Sequence, residues 1–434
     1  MNRATALFVA SIAVALAISH LVRDTPGFVV RNGDGTYEGD IVHYVYWTRL
    51  VTLGGVEAAY SGTWPETYAV YPPVPLYAYQ AIGTLYRAMQ DPTFDPQRAQ
   101  ESLWLREAIK LVALGWHLLA ALAIYAVVRR MYGSRGAALA GSAYVINPAL
   151  LYDVAHWAQP DGAHSLFSVL AIGMLSWPAM ALAALAKPQA WVLVPLLAVA
   201  TLRERGPRIL VLGIVLGSAI ATLVVLPFLL TGRVSQLLSL PGTVGSVMPV
   251  VSADAHNLWW LVATLRGIDP LFTEDSTRLI GPLTYRLAAA ALVLAQFALT
   301  YWLYWTRRVS LPEAAALGVL GWFVFTTQAH ENHLFFALPL LALALPGRPS
   351  LFWIFGLLSL SLLLNMVLHD QLVLEALGSG LEDQWVVVLR QLNALLNVLC
   401  WLGWGLARIT QQDVARQERR PHPARRRAQL QHTP

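Results

Sequence analysis

Ala4-Thr5-Ala6-Leu7-Phe8-Val9-Ala10-Ser11-Ile12-Ala13-Val14-Ala15-Leu16-Ala17-Ile18-Ser19-His20-Leu21-Val22 is the stretch that decides the fold. A helix needs about 20 mainly apolar residues to cross roughly 30 Å of hydrocarbon, and runs of this kind recur from end to end of the chain. Of its 434 residues 56% are hydrophobic and only 13% charged, and its mean hydropathy is +0.52; that balance lies well outside the soluble range. The reading is an all-α polytopic membrane protein. The first run follows one basic residue, Arg3, and its flank Val22-Arg23-Asp24-Thr25 lacks a small-x-small cleavage site, so it is expected to be retained as a helix. The single cysteine, Cys400, excludes intramolecular disulfides and thiol metal clusters. The net charge of +5 is spread so as to orient a membrane protein, and a nucleic-acid partner is not expected.

Arg129, Arg130 and Arg135, then Arg203, Arg205 and Arg208, then Arg307 and Arg308, Arg348, and the terminal run from Arg416 to Arg427 all belong on the cytoplasmic side. Threading the apolar runs between them predicts about 12 helices, at roughly 4–22, 103–128, 136–152, 162–176, 177–188, 189–202, 208–231, 284–306, 312–328, 333–346, 350–368 and 386–408. Both termini then face the cytoplasm. The fifth and sixth meet at Lys187-Pro188, where proline removes a backbone donor, and a broken pair buried in protein is expected. We divide the chain into a module at 1–231 with a long first outer loop at 23–102, a module at 232–410 with a second outer loop at 232–283, and a disordered basic cytoplasmic tail at 411–434. In the first loop, Ile41, Tyr44, Val45, Trp47, Leu50 and Val51 recur at helical spacing around His43 and Arg49, and Val74 to Met89 follows Tyr71-Pro72-Pro73. Both predict amphipathic helices along the outer face.

Polar residues with chemical potential gather at the outer ends of the helices. Asp40 opens the first amphipathic segment after a glycine-rich approach, where free backbone donors favour its carboxylate; a helix N-cap and a general base both fit. Asp153-Val154-Ala155-His156-Trp157-Ala158-Gln159-Pro160-Asp161 is dense in acids and amides for a short turn, although two carboxylates and one imidazole make a weak metal set. Lys187 with Gln189 marks the helix break, and a lysine in apolar surroundings needs water or a counter-charge. His330-Glu331-Asn332-His333 lacks the HExxH zinc spacing and suits a phosphate better than zinc. Ser252 to Trp260 reads either as an aromatic anchor or as part of a site.

In this order the segments resemble the GT-C class of membrane glycosyltransferases. Within it they are most similar to the dolichyl-phosphate-glucose-dependent glucosyltransferases of asparagine-linked glycan assembly and their prokaryotic relatives. The matching positions are Asp40, Tyr71 with its proline pair, His156-Trp157-Gln159, Lys187-Gln189, Ala255-Asn257-Trp259 and His330-Glu331. Asn332 stands where the eukaryotic pattern has lysine, and Ala158 stands as an extra residue before Gln159. Trp157-Ala158-Gln159-Pro160-Asp161 resembles instead the turn of bacterial polyprenyl-phosphate-mannose transferases, so glucose and mannose both remain open.

The resemblance implies inverting transfer of a hexose from a polyprenyl-phosphate donor to a hydroxyl of a lipid-linked glycan or glycolipid acceptor at the outer, periplasmic face. Asp40 would be the general base. His330 and Lys187, with Arg286 as a third candidate, would stabilise the leaving phosphate. Glu331 would charge His330, and His156, Gln159, Asp161, Gln189, Asn257, Trp259 and Tyr71 would support the site or bind sugar and acceptor. No cofactor or metal is expected. A lipid-linked sugar transporter or flippase is the main alternative, since broken helices and a buried lysine also serve transport.

Overall fold

The computed structural model describes residues 2–31, 37–62 and 68–410. The chain is an all-α polytopic membrane protein. Its sheet is confined, among the described residues, to two short antiparallel pairs, Val30–Arg31 with Tyr37–Glu38 and Arg278–Ile280 with Leu283–Thr284. Five helices are long and apolar enough to cross a membrane by length and composition: Arg3–Leu21, Leu103–Val145, Pro207–Val224, Tyr285–Trp305 and Gln384–Thr410. Leu311–Phe325, His333–Gly347 and Leu351–Val367 are shorter apolar helices among them. The expected tail at 411–434 lies outside the described residues.

Helix α1, Arg3–Leu21, starts where Asn2 Oδ1 accepts from Thr5 N at 2.9 Å. Its far end is closed by a residue far off in sequence: Lys110 Nζ donates to the carbonyls of Val22 (3.1 Å), Arg23 (3.0 Å) and Thr25 (2.7 Å). A cation on the last carbonyls satisfies groups that have no partner within the helix. Helices α2, Asp40–Gly54, and α3, Pro73–Met89, occupy the first long loop as expected, and Pro73 supplies the pre-set φ of a first helical turn. Helix α4, Leu103–Val145, fuses the second and third expected runs and kinks at Gly133, whose φ of 76° a side chain would resist.

Helix α5, Asp161–Met174, packs along α4 so closely that a Cβ at Gly162 would sit 2.4 Å from the backbone nitrogen of His117. Small residues let helices meet backbone to backbone where lipid gives no hydrophobic incentive to associate. Helix α6, Trp177–Ala184, is too short to span; a 3-10 turn at Pro188–Leu193 then leads into α7, Val194–Arg205, so the break expected at Lys187-Pro188 is present. Helix α8 is Pro207–Val224, α9 Leu258–Leu265, α10 Tyr285–Trp305, α11 Leu311–Phe325, α12 Ala337–Ala344, α13 Leu351–Val367 and α14 Gln384–Thr410.

The main core runs from Phe8 to Trp404 and draws on residues from both sides of position 231. A second cluster, rich in aromatic residues, holds the first loop: Tyr44 and Trp47 of α2 lie 5.5 Å apart by ring centroid, Trp47 meets Tyr71 edge-on at 5.7 Å, and Tyr44 meets Tyr79 of α3 at 5.8 Å. These contacts fix the angle at which α2 presents its first residue.

The Gly162 contact gives a direct test of the helix pair. Gly162→Ala is expected to destabilise the protein by about 1–3 kcal/mol, the usual cost of overpacking, seen as a lower melting temperature in detergent; an unchanged midpoint would contradict the packing.

Candidate active site

Gly39 caps α2 and Asp40 is its first residue, so the carboxylate does not bond its own helix as an N-cap would. It reaches across to the Tyr152–Asp161 turn instead. Trp157 Nε1 donates to Asp40 Oδ2 at 3.0 Å and Gln159 Nε2 to the same oxygen at 2.6 Å. Gln159 Oε1 accepts from the Tyr71 hydroxyl at 2.6 Å, so one amide links the aromatic cluster to the carboxylate. The turn achieves this through a widened π segment at Tyr152–His156 followed by Ala158 at φ 71°. A left-handed backbone at a non-glycine residue persists only where its surroundings hold it. Here it sets Trp157 and Gln159 to converge on one oxygen. Burial raises the pKa of Asp40 above the ordinary carboxylate value, opposed by His43, the Trp157 hydrogen bond and the Lys187 charge.

Lys187 is spent on a carboxylate. Its ammonium pairs with Asp161 and lies 5.5 Å from the centre of the Tyr71 ring, with the side chain only 7% exposed. Asn332 Nδ2 donates to Asp161 Oδ2 at 3.0 Å and to Asp153 Oδ1 at 3.3 Å, tying the two acids to the segment that carries His330. The sequence marks Lys187 as a phosphate ligand that needs water or a counter-charge; the structure gives it a buried counter-ion, so its charge acts on the site through the field behind it.

His330 is the most open of this group, with a side chain 39% exposed, and its Nδ1 lies 3.8 Å from Glu331 Oε2. Glu331 was expected to charge His330, and the surroundings oppose this. Burial and the Lys187 charge lower the imidazole's pKa, while burial with Asp254 and Asp40 nearby raises that of Glu331 well above its usual value. Both neutral forms are favoured, which leaves His330 as a hydrogen-bonding group. His333 accepts at Nδ1 from the backbone N–H of His330 at 3.1 Å, so its proton is on Nε2, which faces the Gln189 amide at 2.7 Å. A ring N–H is met there by the amide oxygen, which puts the Gln189 NH2 in the other amide position, buried and without a protein partner among the described residues.

The remaining expected residues lie elsewhere. His156 Nε2 is 3.1 Å from Asp370 Oδ2 and its Nδ1 is 2.9 Å from Thr25 Oγ1, so it joins α1 to the start of the Gln371–Ala376 helix. Asp153, His156 and Asp161 do not converge, and among the described residues no group of three such side chains is placed to hold a metal ion. Arg286 binds Asp275 Oδ1 through Nε at 2.9 Å, and Asp275 Oδ2 accepts from Thr327 Oγ1 and Gln328 Nε2, each at 2.9 Å; that set pins the second loop to the end of α11. Asn257 caps α9, with Oδ1 accepting from the nitrogens of Trp259 and Trp260, and Trp259 Nε1 donates to Phe325 O at 2.7 Å. Both are buried framework and do not face the site. Asp370 was not anticipated, because it follows the long apolar run of α13 with nothing local to mark it.

The fold is a helical membrane bundle that carries its polar cluster on the loops beside a broken helix. Two crystal structures share it: ArnT from Cupriavidus metallidurans in the apo state, with a TM-score of 0.51 and 17% sequence identity over 94% of this chain and 72% of that one, and the same protein bound to undecaprenyl phosphate, with a TM-score of 0.51 and 16% identity over 92% and 71%. No protein-family model matches the chain, and no curated protein matches it in sequence.

Breaking the buried ion pair has a defined consequence. Lys187→Met is expected to destabilise the fold by about 3–5 kcal/mol because it strands Asp161, and Lys187→Met combined with Asp161→Asn to recover most of that loss. Thermal unfolding of the single and double variants measures both, and additive losses would mean the pair is not coupled.

Proposed function

We propose that the protein is an inverting glycosyltransferase that moves a hexose, glucose or mannose, from a polyprenyl-phosphate donor to a hydroxyl of a lipid-linked glycan or other acceptor. The reading rests on one observation: Asp40, a carboxylate aimed by Trp157 and Gln159 and not engaged in capping, stands beside the Lys187–Asp161 pair. The likeness of the fold to a protein crystallised with undecaprenyl phosphate supports a polyprenyl phosphate as the lipid. In this reading the site lies at the outer membrane face with both termini in the cytoplasm, an orientation that the arginine pattern supports.

In this mechanism Asp40 takes the proton of the acceptor hydroxyl as its oxygen attacks the anomeric carbon. The bond from that carbon to the phosphate oxygen breaks, and its electron pair leaves with the phosphate. A phosphate is a good leaving group, so the second carboxylic acid that glycoside hydrolysis requires is unnecessary. What the leaving group needs is hydrogen bonding and positive potential where charge develops. His330 and the unpartnered NH2 of Gln189 supply donors, and Lys187 supplies potential from behind. Burial raises the Asp40 pKa, which brings the base closer to neutral pH and strengthens it as a proton acceptor.

Incubation with radiolabelled polyprenyl-phosphate hexoses tests the activity: a labelled glycan or glycolipid is expected, and labelled donor carried across a vesicle membrane without transfer would favour a flippase. Asp40→Asn is expected to lower transfer by at least about 10²-fold with normal folding; near-wild-type turnover would remove Asp40 from the role of base. His330→Ala is expected to weaken donor binding or turnover, and wild-type values for both would end its assignment to the phosphate. Because the base works deprotonated, activity should fall as pH drops through the raised pKa of Asp40, an acid limb above the ordinary carboxylate range. A pH–rate profile flat down to pH about 4, the ordinary carboxylate value, would contradict it.

A further inference from the structure

Asp254 stands on the loop before α9, and nothing in the mechanism above uses it. Its φ is 60°, a left-handed backbone at a non-glycine residue. Side chains from two helices hold it there. Asn365 of α13 donates through Nδ2 to Asp254 O at 2.7 Å and accepts through Oδ1 from His256 N at 2.8 Å, while Asn397 of α14 donates to His256 O at 2.8 Å. On its other side the loop is fastened to the functional segment, where Ala253 N donates to Ala329 O at 2.9 Å and Asp254 pairs with His330 as an isolated bridge.

Behind the carboxylate runs a hydrogen-bond chain whose direction can be worked out. Asn393 Nδ2 donates to the carbonyl of Ser361 at 2.9 Å, which fixes the orientation of that amide, and it donates as well to His256 Nδ1 at 2.9 Å. His256 therefore accepts at Nδ1 and carries its proton on Nε2, 3.0 Å from His369 Nε2. His369 then accepts at Nε2 and carries its proton on Nδ1, which lies 3.4 Å from Asp254 Oδ1. Each tautomer follows from the one before, starting from a carbonyl that can only accept.

The chain ends on a carboxylate that faces the site. Among the described residues the one polar side-chain partner of the Asp254 carboxylate, 28% exposed, is His369 Nδ1 at Oδ1, which leaves Oδ2 open, and Glu331 feels its charge along with that of Asp40. Burial pushes its pKa up to about 6, with Arg390 opposing, so at neutral pH it is mostly ionised. An oriented carboxylate with open lone pairs accepts hydrogen bonds from hydroxyl groups and repels a phosphate. From this geometry, and resting on the transferase reading above, we propose that Asp254 is a specificity-determining residue that binds the hydroxyls of the transferred sugar, positioned by the His369–His256–Asn393 chain.

Asn tolerates the left-handed region better than other side chains, so Asp254→Asn preserves the loop while removing the charge. The purified full chain and its variants are titrated with undecaprenyl-phosphate-linked glucose, undecaprenyl-phosphate-linked mannose and undecaprenyl phosphate alone. Asp254→Asn should weaken the hexose-bearing lipid that the wild type prefers by about 10- to 100-fold, the scale of a hydrogen bond to a charged group, and leave undecaprenyl phosphate alone unchanged. His369→Leu should follow it, and His369→Asn, which keeps an N–H near the position of Nδ1, should restore binding. Equal loss for lipids with and without sugar, or no loss for either, overturns the proposal, as does a wild type that binds the hexose-bearing lipids no better than undecaprenyl phosphate. A wild type that binds none of the three lipids overturns the transferase reading and the proposal together.

Discussion

An ammonium within an apolar bundle has to be neutralised where it stands, and the Lys187–Asp161 pair is the constraint on which the rest of the site depends. Asp161 can be there because α5 begins at that residue, directly after the π turn that also delivers Trp157 and Gln159 to Asp40. Lys187 can be there because the chain breaks between α6 and α7, which frees it from a helical path. Asn332 then joins Asp161 to Asp153 and brings the His330 segment to the same place. One ion pair thus gathers a turn, a broken helix and a loop from three parts of the sequence. The first loop joins them through Tyr71, whose ring lies beside the ammonium and whose hydroxyl bonds the amide that holds Asp40.

Hydrophobic period and length carried most of the fold. The spans, the proline break at Lys187-Pro188 and the two helices of the first loop all appear near their expected positions. What could not be read was how helix ends are satisfied at long range. Lys110 sits inside an apolar run with no local sign that it closes the end of α1, and the fusion of two runs across Gly133 depends on one glycine that a sequence alone leaves ambiguous. The site was legible in part for a related reason. Asp40, Gln159, Tyr71, Lys187 and Asp161 are linked by direct contacts, because each is a polar residue at a break in an apolar pattern, where burial demands a partner.

The same rule misled at Arg286, Asn257, Trp259 and His156. These also interrupt apolar sequence, but their partners are Asp275, backbone nitrogens at the start of α9, the Phe325 carbonyl, and Asp370. Sequence marks a residue as needing a partner without saying which one. Charge state was equally out of reach: the adjacency of His330 and Glu331 suggests an ion pair, whereas burial favours the neutral form of both, with Lys187 adding to it at His330 and Asp254 and Asp40 at Glu331.

At the opposite end of α11 from the His330 segment, Glu313 receives Arg348 at 3.3 Å, Trp404 at 3.1 Å and Arg408 at 2.5 Å, all on one carboxylate oxygen. That knot fastens α11, the start of the α13 segment and the end of α14 to one another, about 18 Å along the helix axis from the loop that follows α11. Helices clamped so firmly at one end have little freedom to spread there. Separating these three helices therefore costs least at their far ends, away from that single buried acid.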